Sequence, residues 1–362
     1  MTTSDSLPPA ANAAHLTAVL RKAGVLGDGH VHSVDPENPR DTILSHIVRL
    51  KLTYDDAAST APPSLILKTA RHDRLDPSWV AGRQEVAFYT KVAPLMPTGL
   101  VPRCFDANWN AETNVWHLLL EDLTATHVTA TVWPLPPSLD QCEAIVGLLA
   151  RVHAAWWDHP SLGVSVGGWF DADALDRSLQ LFSGHLTRFA DQLGDRFPLE
   201  RRELLAQLLD AAPRLRQRYL SRRNVTIVHG DAHVWNCLLP RVGEGARFFD
   251  WDGWRIDVGT SDLAYMIAMH WYPDRRQRYE RGLLDRYHEA LLGYGVTGYD
   301  AETCWRDYRL GVVQAPLLSS LGFAFASSTE RGDEMMLAML HRGCQAIREL
   351  GTLDLIKSYP ST

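Results

Sequence analysis

The stretch that most constrains this chain is Asn224 to Pro240, NVTIVHGDAHVWNCLLP. A short apolar strand (Val225, Ile227, Val228) runs straight into His229-Gly230-Asp231, and Asn236 follows five residues after the aspartate. Beyond a turn around Gly243-Glu244-Gly245, Arg247-Phe248-Phe249-Asp250-Trp251-Asp252 reads as a second strand that ends in acids. Apolar runs bounded by polar and glycine-rich turns are strand signals, so two hairpin-like strands should deliver two carboxylates and an amide to one place. The rest of the chain has to frame that delivery.

Upstream, the first third reads as strands with one helix. Ser45 to Thr53 alternates, with Val48, Leu50 and Leu52 facing a core and Arg49, Lys51 and Thr53 facing outward. Tyr54 to Pro63 is its turn, and Ser64 to Thr69 (SLILKT) is a second strand carrying Lys68. Asp76-Pro77 opens a helix through about Ala93, with proline at the first helical position and Glu85 along its length. Val115 to Leu120 is a further strand. After Glu121-Asp122 the pattern turns helical. Ser138-x-x-Gln141 is a capping box followed by Cys142, Ile145, Val146, Leu149 and Val152 at helical spacing. Further helices fit Ala172–Leu193, Leu199–Arg222, Asp262–His270, Arg275–Tyr294, Ala301–Ala326 and Asp333–Leu350. Residues 1–24 are expected to be a tail or leading helix, with Met1 to Leu20 beginning as a loose tail; 25–122 form a smaller β-rich lobe and 123–362 a larger, mostly helical one.

Composition removes several classes of function. With 46% hydrophobic and 22% charged residues the chain is globular, and a net charge of −7 offers no broad cationic surface to nucleic acid. The five cysteines form no CxxC pair, which suggests neither a disulfide framework nor a zinc knuckle and fits a reducing, cytoplasmic setting. The N-terminus lacks the basic start and apolar block of a secretory signal. The most membrane-like stretch, Gly311 to Ser328, is broken by Gln314, Pro316 and Ser319-Ser320, so a buried helix or two short ones are expected there.

Two acids and an amide suit phosphoryl transfer. One carboxylate orients and deprotonates an attacking hydroxyl, while a second acid and an amide oxygen hold the hard cations that bridge nucleotide phosphates. Asp231 is the candidate base; Asn236 and Asp250 are the candidate metal ligands.

These residues carry a resemblance. His229-Gly230-Asp231-x-x-x-x-Asn236 followed by Phe249-Asp250-Trp251 resembles the catalytic and metal-binding motifs of aminoglycoside phosphotransferase-like small-molecule kinases, relatives of the protein kinases. The longer string HGDAHVWN with FDWDGWRIDVGTSDLAYMI is most similar to their ecdysteroid-kinase-like, choline-kinase-like branch. The resemblance spans roughly Ser45 to Ile267. It implies an α+β, two-lobed protein-kinase-like fold, ATP and Mg2+ as cofactors, a nucleotide-covering N-lobe, and phosphorylation of a small-molecule hydroxyl. In that picture Lys68 pairs with nucleotide phosphates, Glu85 holds it, and adenine lies against backbone near Glu121 and Leu123. Asp262 resembles the helix-start acid that ties back the catalytic loop and is read as structural. The sequence departs from the kinase pattern at Val34 to Leu44, which has no GxGxxG; polar side chains or backbone from Asn38 to Thr42 would have to cover the phosphates. The metal strand ends Asp-Trp-Asp rather than Asp-Phe-Gly.

Other residues keep two readings. His229 is expected to brace the loop. His233 either touches the substrate hydroxyl or a phosphate, or makes a structural hydrogen bond. Asp252 either reaches a metal or lies exposed beside Gly253. His153 is expected in the core. Of Trp235, Trp251, Trp254 and Trp271, most should be core and some should line an acceptor pocket built from C-lobe helices, including Trp271-Tyr272 and parts of Arg306 to Glu330. An aminoglycoside, an amino alcohol or a sterol-like alcohol all fit as acceptor. Two rival functions stay open: a metal-dependent hydrolase with His229, Asp231 and His233 on zinc, and a non-catalytic pseudokinase that only binds.

Overall fold

The alternation read over Ser45 to Thr53 builds the second strand of a five-stranded antiparallel sheet, in a computed structural model that describes residues 8–42, 44–55, 61–71, 80–132, 135–169, 171–243, 245–314 and 330–360. The helix start at Asp76-Pro77, Glu244 of the expected turn, and most of Gly311–Ser328 and Arg306–Glu330 lie outside the described residues. Strands β1 (Val31–Asp41), β2 (Ser45–Tyr54), β3 (Ser64–Ala70), β4 (Cys104–Trp109) and β5 (Trp116–Glu121) take the order β1-β2-β3-β5-β4. Val48, Leu50 and Leu52 of β2 join Leu65 and Leu67 of β3 and Leu119 of β5 in one apolar layer. Helix α1 (Ala13–Lys22) closes that layer with Leu16 and Leu20.

Period-2 geometry then sends Lys68 to the opposite face, where it pairs across the strands with Leu118. That face carries helix α2 (Ala81–Ala87), continued by a π-helical turn over Phe88–Val92. The helix comes close because residue 82 is glycine: a Cβ there would sit 2.0 Å from the Trp116 indole nitrogen. Close approach is what lets Glu85 reach Lys68.

Of the tail or leading helix expected over residues 1–24, a helix forms from residue 13, started by Asn12, whose side chain accepts from the Ala14 amide, while residues 1–7 lie outside the described residues. Val34 to Leu44 is mostly β1, and only its end is a turn. Two prolines (Pro36, Pro39) and a left-handed Asn38 disguise the strand, and they are tolerated because β1 is a sheet edge with a bulge between Glu37 and Arg40. Strand β4 (CFDANW) is a further strand outside the expected set.

The chain continues through β6 (His127–Thr129), α3 (Leu139–Ala155), α4 (Ala172–Leu193), α5 (Leu199–Ala211), α6 (Arg216–Leu220), β7 (Thr226–Val228), β8 (Cys237–Pro240), β9 (Arg247–Phe248), β10 (Arg255–Asp257), α7 (Thr260–Ala264), α8 (Pro273–Gly293), α9 (Ala301–Gly311), α10 (Glu330–Glu349) and α11 (Thr352–Lys357). The capping box at Ser138 and Gln141 forms in both directions, and Cys142, Ile145, Val146, Leu149 and Val152 are fully buried. The two strands of the chemical segment do not pair with each other as read. β7 pairs with β10, whereas β8 lies between β6 and β9.

By packing, the chain forms two compact units, residues 1–128 with 238–253 and residues 129–237 with 254–362. The sequence reading drew its boundary after Asp122 and gave all later residues to the second lobe; here 238–253, Asp250 included, groups with the first unit. Among the described residues no helix is long and apolar enough to cross a membrane.

Gly82→Val should force the buried Trp116 ring aside and cost about 1–3 kcal/mol, the usual range for overpacking. A thermal melt checks this, and an unchanged midpoint would show that the helix does not need its close approach.

Candidate functional site

In the first unit the ammonium of Lys68 donates to Glu85 Oε2 at 2.6 Å and to Asp250 Oδ1 at 2.5 Å. Lys68 and Glu85 are buried, while the Asp250 side chain is 38% exposed and so remains open to a ligand. Burial alone would lower the Lys68 pKa, but Asp250, Glu85 and then Asp252 outweigh it and hold the ammonium charged well above its ordinary range. Burial raises the Glu85 carboxyl, with Lys68 opposing. Asp250 has φ +66°, a left-handed conformation that aspartate tolerates better than most residues and that marks a strained turn. The turn is clamped by Trp251, whose ring stacks on Phe88 of the π-helical turn at 4.0 Å and whose indole nitrogen donates to the Phe248 carbonyl. Trp251 is therefore a core residue tying the acid-bearing turn to the segment that follows Glu85.

At the two positions read as adenine contacts, the Glu121 amide donates to the Arg103 carbonyl at 2.8 Å. The Leu123 carbonyl accepts from the amides of Thr126 and His127.

In the second unit a buried carboxylate organises the loop. Asp262, at the start of α7, accepts from the His229 amide at 2.7 Å, the Gly230 amide at 2.9 Å and His153 Nε2 at 3.2 Å. His153 is fully buried and meets the Tyr287 hydroxyl through its other nitrogen. Burial pushes the Asp262 carboxyl up, but these donors more than offset it and leave its pKa below the usual value. His229 braces the loop as expected: it is fully buried and its Nδ1 accepts from the Asp231 amide at 3.2 Å.

Asp231 is held from both sides. Tyr265 donates its hydroxyl to Oδ1 at 2.5 Å, and Asn236 donates Nδ2 to Oδ2 at 2.9 Å and to the Asp231 carbonyl at 3.0 Å. Because both partners of Nδ2 are acceptors, the Asn236 amide has one orientation, with Oδ1 turned away from Asp231. His233 Nε2 lies 3.5 Å from Asp231 Oδ2. The sequence reading missed Tyr265; its position three residues after Asp262 on one helical turn was the available signal.

A ring cluster adjoins the aspartate. His270 contacts the rings of His233, Trp235 and Tyr265 at centroid distances of 5.4, 5.6 and 4.9 Å. Burial and then His233 push the His270 pKa down to about 3, so the ring is neutral. Its Nδ1 faces the Tyr265 carbonyl at 2.9 Å and must carry the hydrogen, which leaves Nε2 as an acceptor. Among the described residues, His270 Nε2, His233 Nδ1 and Trp235 Nε1 are buried without a hydrogen-bond partner. Trp254 and Trp271 are buried as well. The zinc-hydrolase grouping does not assemble: His229, Asp231 and His233 do not converge, because His229 Nδ1 is turned to the Asp231 amide.

The chain matches the model of the ecdysteroid kinase-like family over residues 39–294. No curated protein sequence matches it. Among solved structures it is similar to a protein of Ralstonia eutropha JMP134 provisionally assigned as an aminoglycoside phosphotransferase (13% identity, 93% of this chain and 98% of that one, TM-score 0.59). It is similar to a microcompartment-associated aminopropanol kinase (12% identity, 94% and 99%, TM-score 0.58). It is also similar to an amicoumacin kinase in complex with AMP-PNP, calcium and its ligand (15% identity, 92% of each chain, TM-score 0.52). At such identities the likeness is one of fold, a mixed α+β kinase-like architecture.

Asp262→Asn offers one acceptor oxygen where two loop amides need one each, and should cost about 3 kcal/mol at neutral pH. Because the folded pKa of Asp262 is depressed, its contribution is present above about pH 4 and is lost as pH falls further. Urea melts across that range should show a shallower acid slope for the variant than for wild type, and equal slopes would remove Asp262 as the cause.

Proposed function

We propose ATP- and magnesium-dependent transfer of a phosphoryl group to a hydroxyl of a small molecule as the reaction of this chain, which belongs to the ecdysteroid kinase-like family. That family is one of small-molecule kinases, and the chain is a small-molecule phosphotransferase. The observation that carries the finer reading is the fixed geometry of Asp231: two donors hold its carboxylate, and its loop is anchored by Asp262. A pre-oriented carboxylate is what an in-line transfer asks of the protein, since the transition state needs positioning and charge stabilisation more than covalent chemistry.

In this reading Asp231 orients the acceptor hydroxyl and takes its proton as that oxygen bonds to the terminal phosphorus and the bond to the bridging oxygen of the nucleotide breaks, releasing ADP. Lys68 exchanges its contact with Asp250 for a phosphate oxygen, while Glu85 keeps the ammonium aimed. The Asn236 amide oxygen and the Asp250 carboxylate, the two candidate ligands, are hard oxygen donors of the kind magnesium takes, and Asp252 adds negative charge near Lys68. Magnesium held there would neutralise phosphate charge during transfer. With the Glu121 amide and the Leu123 carbonyl already bonded, adenine recognition falls to the Glu121 carbonyl and the Leu123 amide. The end of the β1–β2 hairpin, where Thr42 bonds to Ser45, takes the place of a glycine-rich loop. The AMP-PNP and calcium of the amicoumacin kinase support a nucleotide with a divalent cation in this fold.

The acceptor wall is the ring cluster beside Asp231. Buried polar atoms without partners cost roughly 1–3 kcal/mol each, and a hydroxylated ligand would satisfy them. Among the described residues the cluster offers the Trp235 indole donor, the neutral His270 acceptor and ring faces, with Asp231 its one carboxylate. That chemistry suits a hydroxylated acceptor with a flat apolar body better than a polycation.

A phosphate-transfer screen over a small-hydroxyl library tests the reading. Asp231→Asn should lower kcat roughly a hundred- to ten-thousand-fold with little change in the KM for ATP. Asp250→Asn should raise the magnesium concentration needed for half-maximal rate; full turnover in either variant would exclude the assignment. If Asp231→Asn changes no measurable activity while nucleotide still binds, the chain is a binding module instead. For the acceptor wall, His270→Leu should raise the acceptor KM about tenfold or more and leave that of ATP unchanged, and equal effects on both would remove the ring cluster from recognition.

A further inference from the structure

On the other face of the first unit's sheet, side chains from three separate elements meet at one point. His15 lies in the first turn of α1, Asp106 on β4 and His117 on β5. Sheet geometry accounts for the meeting. Asp106 pairs with Leu119, and Asn108 pairs with His117, so Asp106 and His117 are diagonal neighbours on the face that Leu119 shares with α1. A bulge between Cys104 and Asp106 sets that register. His15 Nε2 stands 2.9 Å from Asp106 Oδ2, and His117 Nε2 stands 2.8 Å from the same oxygen.

The ligand atoms of the three residues all lie within 4.8 Å of one another, and among the described residues this is the one such group of three. Two imidazoles that merely needed a hydrogen-bond acceptor had two carboxylate oxygens to share between them; both instead converge on one. The side chains are 38%, 28% and 17% exposed for His15, Asp106 and His117, so the point is reachable from solvent. His15 also lines an open groove of about 810 Å³ with Asn12 and His32.

We propose that His15, Asp106 and His117 bind a divalent transition metal of the zinc class, with water completing the coordination, and so pin α1 to the β4–β5 edge of the sheet. Two imidazoles and one carboxylate are a donor set for zinc and its neighbours rather than for magnesium, which prefers oxygen throughout. Tetrahedral zinc with bonds of about 2.0–2.1 Å keeps its donors roughly 3.3–3.5 Å apart, so each histidine needs to move from the Asp106 oxygen by roughly half an ångström. The site shares no residue with Asp231, Asn236 and Asp250 and does not depend on the phosphotransfer reading.

Cobalt(II) titration of the full chain, freed of metal by chelation and kept in excess magnesium, tests the proposal. One equivalent should bind and give the visible ligand-field bands of four- or five-coordinate cobalt, displaceable by zinc, and zinc should raise the melting temperature. His15→Gln and His117→Gln should each weaken uptake about tenfold or more, while Asp250→Asn and His233→Gln leave it intact. His15 is on a partly exposed helical turn, so its replacement should not threaten the fold; circular dichroism checks that. No uptake by wild type, or uptake indifferent to both histidines, would overturn the proposal and leave a hydrogen-bonded His-Asp-His group. Loss of kinase activity in any variant has no bearing on this readout.

Discussion

The burial of one ammonium between two carboxylates is the constraint around which the first unit is arranged. Lys68 sits on the middle strand of a sheet, and taking a lysine out of water there costs several kcal/mol unless opposite charge meets it at hydrogen-bond distance. Glu85 supplies one partner only because Gly82 lets its helix settle against Trp116. Asp250 supplies the other only because its turn adopts a left-handed conformation, held by Trp251 stacking on Phe88. Two carboxylates facing one ammonium leave surplus negative charge, and Asp252 adds to it. On the proposed function, that surplus would meet the cation of a metal-nucleotide complex.

The second unit solves a different problem, holding a carboxylate still. The loop that carries Asp231 has its polar groups fixed by hydrogen bonds. Asp262 takes the amides of His229 and Gly230, His229 takes the amide of Asp231, and Tyr265 with Asn236 takes the Asp231 carboxylate. Each support rests on a group that is itself buried or bonded, ending at His153 and Tyr287 deep in the unit. A chain of satisfied partners is rigid because loosening any member strands another in a low-dielectric interior.

How much of this the sequence disclosed follows from how local each signal is. Strand β2, the capping box of α3 and the extent of α4 follow from spacing alone, and each formed as read. The pairing of Lys68 with Glu85 came from the family resemblance rather than from spacing, and the two side chains meet. Strand β1 was not, since two prolines imitate a loop and only its place at the sheet edge makes them harmless. The pairing of β7 with β10 was likewise hidden, because period-2 signals locate strands without naming their partners. The Asp250-Trp251-Asp252 ending was plain in the sequence, yet nothing local reveals that Trp251 stacks on Phe88, a contact between residues far apart in sequence.

The two faces of the first sheet follow from the same periodicity. Alternate residues of β3 and β5 must point oppositely, so the strands that place Lys68 against α2 also place Leu65, Leu67 and Leu119 against α1, and His117 with them. Where that apolar layer reaches the edge strand β4, the sheet can no longer exclude water, and polar groups take over from leucines. His15, Asp106 and His117 stand at that margin, half-buried and drawn from three elements. Apolar contact fixes α1 through Leu16 and Leu20, and Ala10, Ala11 and Ala13 carry the same layer up to its first turn. A metal shared by a helix and two strands would add a directional bond to that apolar contact without enlarging the core.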